Sequence, residues 1–125
     1  MSLDGLDFTP TVPAADIERA KKFYAEKLGL TPKEDRFDGV LYATGSTQFL
    51  LYETQFTGAQ HTLGGFEVKD LDKTMKELRA NGVKFEDYDF PGLKTENGVA
   101  TFPTGDRGAW FKDSEGNILA LADRK

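Results

Sequence analysis

Few side chains in this sequence can do chemistry, and their types limit what that chemistry is. The chain has one histidine, His61, and no cysteine. Thiolate nucleophiles, cysteine metal ligands and disulfides are therefore excluded, and any histidine-based relay must run through His61 alone. His61 shares a strand face with Leu63, and a bulge there would turn it inward to meet Glu53 as a second ligand. Two protein ligands still fall short of the three or four that a tight metal site uses. Glu67 falls on the same face as Leu63 and Gly65. A carboxylate facing an apolar cavity has a raised pKa and can act as a general base, whereas one at a solvated strand end cannot. Thr9, Thr11 and Tyr52 offer hydroxyls, but a hydroxyl without a partner base is not an activated nucleophile, so structural hydrogen bonding is their expected role. Asp87 and Asp89 flank Tyr88 beside Lys94, with no spacing that marks an acid–base pair. Neither a Gly-rich phosphate loop nor a Gly-x-Ser-x-Gly elbow occurs.

Composition narrows the classes further. With 125 residues, 38% hydrophobic and 30% charged, the chain reads as one soluble globular domain over residues 1–125. A net charge of −5 and the absence of a basic stripe argue against a nucleic-acid partner. Apolar runs such as Phe49–Tyr52 and Ile118–Ala122 are too short to span a membrane. The acidic opening MSLDGLDF does not read as a secretory signal, so cytoplasmic residence is expected.

These side chains need elements to hold them, and the elements come in a repeated order. Phe8–Ala14 reads as a strand. Asp16 then caps a helix whose apolar residues Ile17, Ala20, Tyr24 and Leu28 recur at helical spacing up to Gly29. Val40–Thr44 and Gln48–Glu53 read as strands joined at Gly45-Ser46. The order restarts with the strand Leu63–Val68 and the cap Asp70. A stripe of Leu71, Thr74/Met75 and Leu78 follows, ending at Asn81-Gly82. Later strands are expected at Val83–Phe85, Val99–Phe102, Ala109–Phe111 and Ile118–Ala122, with turns at Asn97-Gly98 and Glu115-Gly116-Asn117. Glu86–Gly98 has no clear period and reads as a loop or flap. The two caps lie 54 residues apart, which makes the chain an internal duplication of a strand–helix–strand–strand–strand unit, about 6–56 and about 60–123. One helix covers one face of each small sheet. The other face must be covered by the second copy or line a cavity.

The segments VPAADIERAKKFYAEKLGL, FEVKDLDKTMKELRANGV and AWFKDSEGNILAL resemble the vicinal-oxygen-chelate superfamily, which includes glyoxalase I, bleomycin-resistance proteins and extradiol dioxygenases. That resemblance implies an α+β fold of two tandem βαβββ modules, a curved mixed sheet around a cavity with the helices outside. It is specific for the fold and not for an activity. In metal-dependent members the ligands occupy equivalent strand positions in the two modules. Here those positions carry Thr9, Leu63, Leu50 and Ala120. One hydroxyl and three apolar side chains do not assemble a site for a divalent cation.

The expectation is a glyoxalase/bleomycin-resistance-like protein that binds a small hydrophobic or aromatic molecule with no metal and no cofactor, and a homodimer is expected from the open sheet edges and face. Its ligand-binding residues would be Thr9, Thr11, Leu50, Tyr52, Leu63, Gly65, Glu67, Trp110 and Ala120. Of the neighbours Trp110 and Phe111, one should face the cavity and the other the core. The alternative is a glyoxalase-like lyase, isomerase or dioxygenase, with a displaced metal site at His61/Glu53 or acid–base catalysis by Glu67. A third reading keeps the domain for protein association, with a vestigial cavity.

Overall fold

The structure, a computed structural model, describes residues 3–125. The first half holds β1 (Thr11–Ala14), α1 (Ile17–Glu26), β2 (Glu34–Arg36), β3 (Gly39–Thr44) and β4 (Thr47–Glu53). The second holds β5 (Thr62–Glu67), α2 (Leu71–Ala80), β6 (Asp89–Phe90), β7 (Leu93–Glu96), β8 (Val99–Thr101), β9 (Arg107–Lys112) and β10 (Ile118–Asp123). Both helices start where a carboxylate relieves the unpaired first turn. Asp16 and Asp70, each in extended conformation, accept from the backbone N–H of Arg19 and Lys73, both at 3.1 Å.

The strands form two mixed sheets, ordered β1-β4-β3-β2 and β5-β10-β9-β8-β7-β6. Only β1/β4 and β5/β10 run parallel. The two registers repeat each other. Thr11 lies opposite Leu50, and Gly65 lies opposite Ala120; each first-strand residue sits five before its cap aspartate. Leu41 then pairs with Leu50, and Trp110 with Ala120. Leu50 and Ala120 are thus equivalent positions in two βαβββ modules.

Some elements differ from the sequence reading. β1 begins only at Thr11, because Pro10 has no N–H to give a ladder. The stretch expected as a strand at Val83–Phe85 makes a single bridge, Phe85 to Phe111. The aperiodic stretch Glu86–Gly98 contains the β6–β7 hairpin instead of an open loop. Asp87 holds its base, accepting from Thr95 Oγ1 and the Gly98 N–H at 2.8 Å each, which pulls its carboxyl below the usual range. The β7–β8 turn is Asn97-Gly98, both at positive φ (53° and 82°), the geometry that suits the twist of a two-residue hairpin.

The core lies between the sheets and the helices and draws on both modules: Val12, Tyr24, Tyr42 and Leu51 from the first, Leu71, Met75, Phe111 and Leu121 from the second. The turn Asp113–Asn117 joins the halves. Asp113 accepts from the Tyr24 hydroxyl at 2.8 Å, from Asn117 Nδ2 at 2.9 Å and from the N–H groups of Glu115 and Asn117. Asn117 also donates to the Pro13 carbonyl at 2.9 Å, and Glu115 accepts from Arg19 and the Asp16 N–H. Each of these three buried polar residues therefore makes at least one hydrogen bond to the other module, and all are satisfied as burial requires.

Candidate ligand-binding site

The two sheets do not join. The Pro10 and Ala14 carbonyls accept from Leu50 and Thr54 N–H groups on the β4 side, both at 2.9 Å. Backbone direction alternates along a strand, so Thr11 presents its own N–H and C=O to the opposite edge. On β5, Val68 donates to Ala122 at 2.9 Å on the β10 side, so Gly65 presents its own away from β10, while Leu63 sits at a register shift of the β5/β10 pair. Among the described residues no strand pairs with either edge.

A cleft of about 530 Å³ opens between these edges, within the roughly 300–1,000 Å³ range of small-molecule sites. Thr9 and Thr11 line it from one side, Leu63, Gly64 and Gly65 from the other. Val12, Tyr24, Phe49, Phe66 and Leu119 contribute apolar surface. Thr44, Ser46, Thr47 and Gln48, around the β3–β4 turn, add a polar wall, and Asp7, Phe8 and Pro10 complete the lining. Gly65 has a local reason to be glycine, since a Cβ there would sit 2.9 Å from the Ala120 carbonyl oxygen. Its neighbour Gly64 has open space around it.

Tyr24 is the aromatic residue that ties cleft to core. Its ring packs against Phe49 at 5.9 Å and Tyr42 at 5.7 Å between centroids. Burial, reinforced by the Asp113 carboxylate, pushes its phenol well above the ordinary tyrosine range. It therefore stays protonated and acts as a wall with a committed hydroxyl, not as an acid or base.

Of the nine residues singled out from sequence, Thr9, Thr11, Leu63 and Gly65 meet at this cleft. Gly65, Ala120 and Trp110 form a row across β5, β10 and β9, which continues the face of Leu63 and Gly65. Trp110 packs edge-on against Tyr88 at 5.8 Å, and Tyr88 against Phe90 at 5.5 Å. Phe111, fully buried, is the one that enters the core. Leu50 is opposite Thr11 and Tyr52 opposite Pro13 on the corresponding face of the first sheet; neither lines the cleft. Glu67 lies at the exposed end of β5, where both its oxygens are 3.1 Å from Arg124 Nε. The sequence reading did not include Tyr24, Phe49, Ser46 or Gln48. Tyr24 stands in the apolar stripe of the first helix and Phe49 in the strand Gln48–Glu53, so residue type and period assign both to packing and carry no signal for the cleft.

The donor set does not suit a divalent cation. At the four equivalent positions stand Thr9, Leu63, Leu50 and Ala120, which offer a single hydroxyl where several converging N or O ligands are needed. His61 is exposed, its Nδ1 3.1 Å from the Thr62 carbonyl oxygen, and Glu53 is exposed at the end of β4. Among the described residues no three His, Cys, Asp or Glu side chains gather as a metal-holding group, and no helix is long and apolar enough to cross a membrane.

The fold has counterparts among solved structures. A glyoxalase family protein from Enterococcus faecalis superposes with a TM-score of 0.73 at 19% identity, over 96% of this chain and 99% of that one. A lactoylglutathione lyase from Agrobacterium tumefaciens gives 0.71 at 18% identity, covering 95% and 93%. A bleomycin-binding protein complexed with bleomycin gives 0.71 at 16% identity, covering 95% and 98%. No curated protein matches the sequence. The family described as Glyoxalase/Bleomycin resistance protein/Dioxygenase superfamily matches residues 8–121, nearly the whole chain, and the chain belongs to that superfamily.

Proposed function

We propose that this protein binds a small hydrophobic or aromatic molecule, without a metal, in the cleft between β1 and β5. The observation that carries the reading is a combination. The cleft has the volume and apolar surface of a small-molecule site, while the positions that would hold a cation carry Thr9, Leu63, Leu50 and Ala120. A structural neighbour in complex with bleomycin supports small-molecule binding as a use of this fold. Thr9, Thr11, Leu63 and Gly65 make the first contacts. Ala120 and Trp110 continue the face of Gly65 and Leu50 and Tyr52 that of Thr11, outside the cleft lining, and Glu67 is held by Arg124.

Binding is favoured over catalysis because the one carboxylate proposed as a base, Glu67, is exposed and paired with Arg124. A thermal-shift panel of apolar and aromatic compounds, read together with Trp110 fluorescence, tests the proposal. Saturable shifts of melting temperature with a change in emission are expected; no shift and no change across the panel would contradict it. The same reading places a homodimer in the cytoplasm. Phe8, Phe37 and Phe56 are each at least nine-tenths exposed, apolar surface that a second copy would cover. Sedimentation at micromolar concentration checks this, with a dimer expected.

A further inference from the structure

Resting on the proposal that the β1–β5 cleft is the binding site, we infer that its ligand is neutral or cationic and that anions are excluded. Among the described residues lining the cleft there is no lysine, arginine or histidine. Asp7 is the one lining residue with a carboxylate. A bound carboxylate or phosphate would lose its water and find no cation to replace it, which is costly in a partly enclosed apolar site. A neutral polar group faces no such loss. Thr9, Thr11, Ser46 and Gln48 make no side-chain hydrogen bond among the described residues, and Thr11 and Gly65 turn their backbone groups toward the cleft edges. Thr44 and Thr47 are different, since their hydroxyls already lie 3.2 Å from each other.

The ligand this describes has an apolar, ring-sized part that rests on Phe49 and Leu119. It also carries hydroxyl or amide groups that meet the wall at Ser46 and Gln48. A positively charged group would be drawn to the Asp7 side. An acidic conjugate, such as one bearing several carboxylates, would be rejected. The protein's own charge of −5 adds to that discrimination at a distance.

The test uses three probes on one scaffold: naphthalenemethanol, naphthalenemethylammonium and naphthoate. Their affinities are measured by calorimetry at neutral pH. The alcohol and the ammonium are expected to bind, and naphthoate about tenfold or more weakly. Gln48→Lys should narrow the gap by strengthening naphthoate several-fold, and Asp7→Asn should weaken the ammonium alone. Thr11→Trp, which fills the cleft from its exposed edge, should weaken all three. If naphthoate binds as tightly as the alcohol and Thr11→Trp still weakens both, the charge inference is wrong and the cleft stands. If none of the three binds, the cleft reading falls and this inference with it.

Discussion

Tyr24 and Asp113 are 89 residues apart in sequence and 2.8 Å apart in space, hydroxyl to carboxylate. The bond runs from the first helix to the turn between the last two strands. The same tyrosine ring lines the cleft between β1 and β5, so the contact that locks the modules together also fixes one wall of that cleft.

Tyr24→Phe removes one donor and leaves Asp113 with its three bonds from Glu115 and Asn117. The expected cost is about 1–2 kcal/mol in urea unfolding. Asp113→Ala strands several buried donors at once and should cost about 3 kcal/mol or more. Equal costs for the two variants would show that the turn does not act as a shared acceptor.

Glu115 gives the pH dependence. Hydrogen bonds from the Arg19 guanidinium, with those from the Asp16 N–H and Ser114, outweigh its burial and lower its pKa from 4.5 to about 2. A carboxylate with a depressed folded-state pKa stabilises the fold above its unfolded pKa and loses that contribution as pH falls through the folded value. The loss should therefore run from about pH 4.5 down to about pH 2. Its size should be on the order of 2 kcal/mol, since the Arg19 side chain is half exposed and solvent screens the pair. Unfolding free energies measured across that window should slope downward toward acid in the parent, and the slope should flatten in Glu115→Gln.

The adjacent glycines should behave differently. A side chain at Gly65 meets the Ala120 carbonyl oxygen at 2.9 Å and its Cβ at 3.1 Å. Gly65→Val is expected to destabilise by about 1–3 kcal/mol and to deform the cleft. Gly64→Ala enters open space and should be neutral or slightly stabilising, because it restricts the unfolded chain. Thermal melts of the two variants compare them directly.

The fold was legible because its signals are local and doubled. Asp16 and Asp70 cap as their types require, and the 54-residue offset announced the duplication. The equivalence of Leu50 and Ala120, implied by the family resemblance, appears in the strand registers. β2, Glu34–Arg36, escaped because its residues are charged and all exposed, held by pairing with β3 instead of by burial. The site was legible in part. Alternation gave the face of Leu63 and Gly65, but it could not tell that β1 and β5 stay apart. The modules lock through Asp113, Glu115 and Asn117, contacts between residues about 90–100 positions apart, which no local period reports. Tyr24, read as part of a helix stripe, and Phe49, read as part of a strand, both border the cleft.

The most direct test is the affinity of naphthalenemethanol for the protein, measured by calorimetry after exhaustive chelation and again with added Zn, Ni, Mn or Fe. One dissociation constant should describe every condition, and Leu63→Asp should weaken it about tenfold or more by placing a charge on the cleft wall. Binding that disappears on chelation, returns with a stoichiometric metal and is lost in His61→Ala would contradict metal-independent recognition.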